Sequence, residues 1–340
     1  MVPAAAHTPA RRRSASLSFL RHPMAVYLAK RLLVAALLVL LTVSLNFVLF
    51  RLAPGDAANL ARLPGATPAT RRAVLHEFGL DQSVWHQYVA YIGQLLHGNM
   101  GRSFSSSVPV LEILSVQVRN TLILTVTGGV LAILAGVVVG VIAAWRRNTK
   151  VDRGLLGLGL LIYATPAQWM GLMLILICGS VLPTAGMTDP FAFDQSGLAW
   201  VLDVGHHLIL PALTFTLASF GGYVVLARST TLDTLGEDYV LTARAKGLST
   251  RRILRSYVLR NAMLPLTTAF ALSLGFSVAG ATLVETVFSW PGIGRGLYQA
   301  VLARDYPVMQ GAFLIITVSV ICCNLLADVL YGILDPRVRA

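Results

Sequence analysis

Six stretches of this chain are rich in apolar residues and lack Asp, Glu, Lys and Arg. They are Leu32–Phe50, Thr121–Trp145, Gly154–Met187, Val204–Ala227, Asn261–Val284 and Tyr306–Ala327. A helix of about 20 apolar residues crosses the hydrocarbon core of a bilayer and satisfies its own backbone hydrogen bonds there. The pattern therefore predicts an all-α integral membrane protein with six transmembrane helices.

Four prolines lie within or near the predicted spans. The third stretch is longer than one span requires, and Pro183 is expected to end its helix. At Pro166, Pro211 and Pro265 we expect neighbouring helices to compensate for the lost backbone hydrogen bond.

The basic residues between the spans predict the orientation. Cytoplasmic loops carry an excess of Lys and Arg, and loops longer than about 60 residues escape this rule. With both termini inside, the cytoplasmic segments carry 19 basic residues and the two short external segments carry two. The cytoplasmic segments are 1–31, 146–153, 228–260 and 328–340, and the short external ones are 184–203 and 285–305. An N-in, C-in topology with loop 51–120 outside is predicted.

Composition supports a membrane protein over a soluble one. Hydrophobic residues make up 56% of the 340 positions and charged residues only 12%, against roughly a quarter charged in ordinary soluble domains. The net charge of +12 follows the topology rule, so it predicts membrane lipid and no nucleic acid as a partner. The three cysteines lie in apolar stretches, which indicates neither disulfides nor a metal site.

Residues 1–25 look like a disordered basic tail that lies near anionic headgroups, and residues 26–340 like a single six-span domain. A cleaved signal peptide is the alternative for the first span. Its 19-residue apolar run is longer than the usual signal core of about 7–15 residues, and no convincing cleavage site closes it.

The external loop 51–120 contains two helix signals. Asp81 is a candidate cap for an amphipathic helix ending at Gly98, and Ser107 with Pro109 is a candidate start for a helix leading into span two. The first helix suits the outer membrane surface, either as a structural collar or as a contact for a solute-binding protein. Its apolar stripe is Trp85, Tyr88, Ile92 and Leu95.

Several polar or small residues within the spans have alternative interpretations. The Gly136–Gly140 pair favours close approach of another helix. Asn46, Gln168 and Asn324 either line a pathway or bond a neighbouring helix, and the second role is the commoner one. His206 and His207 lack ligand partners at metal-binding spacing.

The segment Asp238–Pro265 predicts a short basic helical hairpin between spans four and five. Residues 237–246 favour helix, Gly247 suits a left-handed helix end, and Ser249 can cap the next helix. Ala243 and Ala245 keep one helix face small, which suits a closely docked protein. A basic interfacial loop that merely follows the charge rule is the alternative.

This hairpin resembles the coupling loop of ABC importer permeases, in their dipeptide/oligopeptide/nickel branch. The likeness lies in Asp238-Tyr-Val-Leu-Thr-Ala-Arg-Ala-Lys-Gly-Leu248 and Leu259-Arg-Asn-Ala-Met-Leu-Pro265, where Met263 replaces a leucine. Further similar motifs follow in order from about residue 25 to the end. They are Arg51–Asp56, Phe78–Asp81, Gly98–Ser103, Leu208–Pro211, Val284–Phe288 with Pro291–Gly294, and Asp335–Arg339.

The resemblance implies a type I ABC importer permease in the bacterial inner membrane. Its expected partners are a second six-span permease, two cytoplasmic ATPase subunits and an external substrate-binding protein. Peptides are the expected substrate, and nickel chelates or glutathione-like solutes are the alternatives. A short coupling helix in loop 228–260 would receive the motion of the ATPases. The residues implied in coupling are Asp238, Tyr239, Thr242, Ala243, Arg244, Ala245, Lys246, Gly247 and Leu248.

The chain lacks the phosphate-binding loop of an ATPase, since none of Lys30, Lys150 and Lys246 fits that motif. No catalytic residue, cofactor or metal is expected in it, and ATP and Mg²⁺ would be bound by the partner subunits. An ion-driven secondary transporter or a membrane-embedded enzyme is the rival class. Both are disfavoured because Glu285 and Asp328 lie at span ends and no catalytic pair lies within a span. Glu285 is expected to be structural and to lie near Arg295, and no substrate-pathway residue is assigned.

Overall fold

A computed structural model describes residues 23–52, 82–191 and 197–334, and this part of the chain is helical, without a named strand. Residues 1–22 of the predicted basic tail, residues 53–81 of the external loop and the last motif, Asp335–Arg339, lie outside the described residues, and residues 23–25 of the predicted tail belong to the first helix. The helices are α1 Pro23–Leu52, α2 Val84–Leu96, α3 Val110–Trp145, α4 Lys150–Ala164, α5 Ala167–Cys178, α6 Leu198–Leu235, α7 Asp238–Ala245, α8 Thr250–Ile253, a π-helical turn Leu254–Leu259, α9 Arg260–Gly280, α10 Thr282–Val287, α11 Ile293–Ala303 and α12 Tyr306–Leu334.

Four of the described helices are long and apolar enough to cross a membrane, and a bent pair makes a fifth if it is counted as one span. The four lie at Ala29–Phe50, Val110–Trp145, Leu198–Leu235 and Tyr306–Val329. They match the first, second, fourth and sixth predicted spans. The fifth predicted span forms α9 and α10, which are not among these long apolar helices. An all-α membrane protein is confirmed, with four or five such spans.

The third predicted span is broken at a different proline from the one expected. α4 ends at Ala164, α5 begins after Pro166, and the two helices meet at a bend of 99°. A proline disfavours helical geometry at the residue before it, and Thr165 is extended accordingly (ψ 128°). α5 already ends at Cys178, so Pro183 does not end the helix. Pro211 and Pro265 lie inside continuous helices, as predicted.

The helices α3 and α6 form the most extensive packed pair of the fold. A Cβ added to Gly136 would lie 2.5 Å from Tyr223 Cβ, and one added to Gly140 would lie 2.6 Å from Val224 O. The predicted close approach at this glycine pair is therefore confirmed. The other long helices assemble around this pair: α4 and α5 pack on α6, α9 packs on α12, and α1 packs on α12.

The amphipathic external helix forms as predicted, but another residue caps it. Its N-cap is Ser83, whose hydroxyl accepts a hydrogen bond from His86 N at 3.4 Å, and Asp81 lies outside the described residues. Tyr88 Oη lies 2.6 Å from Ser44 Oγ, and the Tyr88 and Phe47 rings pack at 5.3 Å. The helix therefore packs on the C-terminal half of α1.

The start of α3 also differs from the expectation. Ser107 has a left-handed backbone (φ 59°) and does not cap the helix, which begins at Val110 after Pro109. Gly98 is left-handed (φ 74°) just after α2, as its predicted role at the helix end requires.

Candidate functional site

The candidate coupling hairpin consists of α7, a turn at Gly247, and α8 with the π-helical turn after it. Gly247 has φ +72°, its N–H donates to Arg244 O at 2.9 Å, and Leu248 N donates to Ala243 O at 3.3 Å. This bond pair is a Schellman motif, which ends a helix with a left-handed residue. The predicted turn is therefore confirmed. Ser249 lies at the cap of α8, as predicted, but its side chain makes no capping hydrogen bond.

A small apolar core holds the two arms of the hairpin together. Val240 and Ala243 of α7 and Ile253 and Val258 of the second arm are at most 4% exposed and contact one another. Ala243 therefore faces the second arm and is not available to a partner protein, contrary to the sequence interpretation. Ala245 is exposed. The face available for docking is the one opposite to the packed alanine.

The remaining predicted coupling residues lie on the surface of the hairpin, apart from Leu248, which is half-buried against the apolar core. Leu241, which lies in α7 among these residues, is 62% exposed. Thr242 Oγ1 donates to Asp238 O at 3.0 Å, so this hydroxyl is bound within α7. An exposed leucine beside basic side chains on a rigid hairpin suits a protein surface with an apolar groove and acidic residues. The exposed members are Asp238, Tyr239, Thr242, Arg244, Lys246 and Gly247.

A bidentate ion pair joins the start of α4 to α6 near the hairpin. Arg228 Nε and Nη2 donate to the two carboxylate oxygens of Asp152 at 2.7 and 2.9 Å. Asp152 is 3% exposed and also accepts a hydrogen bond from Asn148 N at 2.9 Å. The Arg228 side chain is 24% exposed, so its loss would leave the buried Asp152 carboxylate without its ionic partner. We interpret the pair as a tie between predicted spans three and four.

At the opposite end of the protein, Glu285 caps the start of α11 from another helix. This fully buried carboxylate accepts from Thr121 Oγ1 at 2.5 Å and from Arg295 N at 2.9 Å. Thr121 Oγ1 in turn accepts from Ile293 N at 2.9 Å. The predicted position near Arg295 is confirmed, but the contact is to its backbone. The guanidinium group donates to Ser289 O.

A second buried carboxylate binds the turn that contains the Gly98–Ser103 motif. Asp305 is 2% exposed, and its oxygens accept from Ser103 Oγ at 2.6 Å, Ser105 Oγ at 2.8 Å, and the backbone N–H groups of Phe104 and Ser105 at 3.1 Å. Burial opposes ionisation, but these hydrogen bonds outweigh it and hold the pKa of Asp305 below its ordinary value. Asp305 therefore stabilises this turn as a carboxylate.

Two family models match the chain and together account for most of its length. The model of the binding-protein-dependent transport system inner membrane component matches residues 136–340, and the model of the N-terminal part of such membrane components matches residues 24–126. The chain belongs to this family. It is thus a multi-pass permease component of a bacterial inner membrane, and the resemblance inferred from the hairpin motif is confirmed.

Curated relatives of this permease cover nearly its whole length. It is 39% identical to the dipeptide transport system permease protein DppB of Escherichia coli (strain K12), over 87% of this chain and 93% of the relative. It is 36% identical to the oligopeptide transport system permease protein AppB of Bacillus subtilis (strain 168), over 93% of this chain and 100% of the relative. It is 37% identical to the di/tripeptide transport system permease protein DppB of Pseudomonas aeruginosa (strain UCBPP-PA14), over 87% of this chain and 93% of the relative.

The permease also shares its fold with a solved structure. A chain of the inward-facing MetNI methionine ABC transporter superposes with a TM-score of 0.55 at 17% identity, covering 66% of this chain and 97% of that chain. At this identity the likeness supports the helical arrangement alone. It is the arrangement expected for an ABC importer permease.

The structure resolves one of the alternatives for polar residues within the permease spans. Asn46 Nδ2 donates to Gln310 O at 2.9 Å, so Asn46 bonds a neighbouring helix. His207 Nδ1 lies 3.1 Å from Asp203 Oδ1 on the same helix, while His206 is exposed. Gln168 and Asn324 are half-buried.

Sequence reasoning missed Asp305 and the Asp152–Arg228 pair. Asp152 is the one acidic residue of the basic segment 146–153, and Arg228 is the first charged residue after span four. This placement was a usable signal for an ion pair. The partners of Asp305 lie about 200 positions earlier in the chain, and no sequence pattern of the permease pointed to them.

Proposed function

We propose that this permease is the translocating subunit of an ATP-driven importer of di- or oligopeptides. The relatives named for dipeptide, di/tripeptide and oligopeptide transport support the substrate class. The observation that carries the coupling role is the compact, exposed hairpin that ends α7 at left-handed Gly247.

In this proposal the permease works within a larger assembly. A second homologous six-span permease lines the pathway with it, an external binding protein delivers the substrate, and two cytoplasmic ATPase subunits bind ATP and Mg²⁺. The segment Asp238–Leu248 docks on the ATPases through Leu241, Arg244 and Lys246. The permease itself contributes binding surface and movement, and hydrolysis takes place on the partner subunits.

The proposal includes six spans with both termini in the cytoplasm. The bent pair α4–α5 then serves as the third span, and α9 as the fifth. The excess of basic residues on segments 146–153 and 228–260 supports this orientation. The hairpin is then cytoplasmic, while Glu285 and Asp305 lie at the external end.

The proposed mechanism is alternating access. Closure of the ATPases on ATP displaces the docked hairpin, and the displacement tilts the spans joined to it. A cavity between the two permeases then opens alternately to the two sides of the membrane, as in other transporters built from paired helical units.

Purification of the intact complex tests the proposal. We expect two ATPases to co-purify and a peptide to be identified by mass spectrometry in the binding protein or the cavity. In proteoliposomes, ATP hydrolysis should rise when peptide-loaded binding protein is added. A response to a nickel chelate or to glutathione in place of peptides would overturn the substrate class. Uptake driven by an ion gradient without ATPases would overturn the importer mechanism.

A further inference from the structure

The side-chain amide of Asn261 joins α7, the candidate coupling helix, to the N-terminal end of predicted span five. Asn261 Nδ2, in the first turn of α9, donates to Tyr239 Oη at 2.9 Å and to Tyr257 O at 2.9 Å. An amide NH₂ group has two protons, so both are used. One bond fixes the amide to its own helix, and the other reaches the second residue of α7.

The second arm of the hairpin is continuous with α9. Helical structure runs from Thr250 to Gly280 without a break, through the π-helical turn at Leu254–Leu259. Since Val258 lies in this turn and packs on Val240 and Ala243, α7 rests on the extension of α9. Short π-helical turns inside helices are rare and are often found at functional sites.

The backbone connection between α6 and α7 is short. It consists of Gly236 and Glu237, both exposed, and Glu237 has an extended backbone (ψ 145°). The end of α6 also contacts the apolar core of the hairpin, through Leu235. What distinguishes the connection of α7 to α9 is the hydrogen bond from Asn261 to Tyr239, which adds to that core.

We propose that Asn261 and Tyr239 are positioning residues that make the coupling helix move together with predicted span five. This inference rests on the proposed coupling function. The hydrogen bond prevents α7 from sliding over its apolar core when an ATPase displaces it, so the displacement reaches α9. Tyr239 lies within the docking segment, but its hydroxyl is bound to Asn261, so this bond acts in transmission, whereas Leu241, Arg244 and Lys246 make the docking contacts.

The test uses Tyr239→Phe and Asn261→Ala, compared at matched abundance in the reconstituted complex with its ATPases and binding protein. Tyr239→Phe removes only the acceptor hydroxyl, and Asn261→Ala removes the donor amide and leaves no group that could accept from the Tyr239 hydroxyl. We expect both variants to retain their ATPases while import per ATP hydrolysed falls about fivefold, the factor that the loss of one hydrogen bond gives. The double variant should be no worse than either single one, because all three lack the same bond.

Tyr163→Phe is the matched control, since it makes the same change on an exposed tyrosine of α4, and it should leave the import ratio unchanged. Additive losses in the double variant, loss of ATPase binding, or a normal ratio in both single variants would overturn the inference. Gly247→Val distinguishes the coupling role of the hairpin from the positioning role of Asn261 and Tyr239. If it uncouples transport while Tyr239→Phe and Asn261→Ala do not, the coupling role of the hairpin stands and the positioning pair is refuted. If Gly247→Val is also normal, both are refuted.

Discussion

Replacement of Gly247 by valine perturbs the backbone of the hairpin and little else. An ideal Cβ at this position meets nothing within 4 Å, so no steric clash follows. The change acts through φ +72°, a conformation that L-residues adopt at a cost of roughly 1–2 kcal/mol, and β-branched residues at more. An energy of this size lowers the population of the native turn by a factor of roughly 5–30.

The valine variant should still insert into the membrane, because Gly247 lies outside the predicted spans. The Schellman bonds from Gly247 and Leu248 would be weakened, and Arg244 and Lys246 would be redirected relative to a docked protein. We expect weaker ATPase co-purification or hydrolysis uncoupled from uptake. Both are measured at matched permease abundance.

Gly247→Asn is the control for this interpretation, since asparagine tolerates the left-handed conformation better than other side chains. It should retain most of the transport that the valine variant loses. A valine variant that binds its ATPases and imports substrate normally would refute the coupling role of this turn. An asparagine variant as impaired as the valine variant would refute the backbone explanation.

Three further predictions concern topology and the two buried carboxylates, Glu285 and Asp305. In a protein whose three native cysteines are replaced, Glu112→Cys and Thr250→Cys should label from opposite sides of the membrane with an impermeant thiol reagent, and labelling from one side would contradict the six-span topology. Glu285→Gln presents an amide donor to the Thr121 hydroxyl or to backbone N–H groups, so the free energy of unfolding should fall by about 1–3 kcal/mol, and abundance should fall with it. Normal abundance with altered substrate choice would instead place Glu285 in the pathway. Because folding lowers the pKa of Asp305, its contribution to stability is present above the unfolded-state value of 3.8 and is lost as pH falls through the folded-state value. The difference in melting temperature between the native protein and Asp305→Asn should therefore shrink as pH falls below about 4, and a difference independent of pH would contradict this.

The sequence was sufficient for features that depend on local chemistry. Apolar runs located the long helices, because a bilayer-spanning helix must be apolar along its whole length. Gly247 was predictable since a glycine after a helical run is a common helix end. The motif around Asp238 identified the family, which the matches to residues 24–126 and 136–340 confirm.

The sequence failed where a neighbour distant in the chain decides the outcome. Ala243 was interpreted as a docking surface, although Ile253 and Val258 cover it. Caps were assigned to Asp81 and Ser107, but several polar residues precede each helix and the local backbone selects among them. The helix of the third stretch was expected to pass Pro166 and to end at Pro183, but it breaks at Pro166 and its second part ends at Cys178, because all the prolines carry the same sequence signal.

The glycine contacts between α3 and α6 also have a consequence for protein engineering. At Gly128, Gly136 and Gly140 an added methyl group would lie within 3.1 Å of backbone or Cβ atoms of α6. Backbone atoms cannot be trimmed by a second substitution, so alanine at Gly140, against Val224 O, should have no compensating partner change on α6. A saturation library of this helix should therefore tolerate few replacements at these glycines and more at exposed positions such as Leu134 and Val138, which are 60% and 59% exposed. Cross-linking reagents aimed at movement between helices should be placed on other pairs, since close backbone packing leaves little room for α3 and α6 to shift against each other.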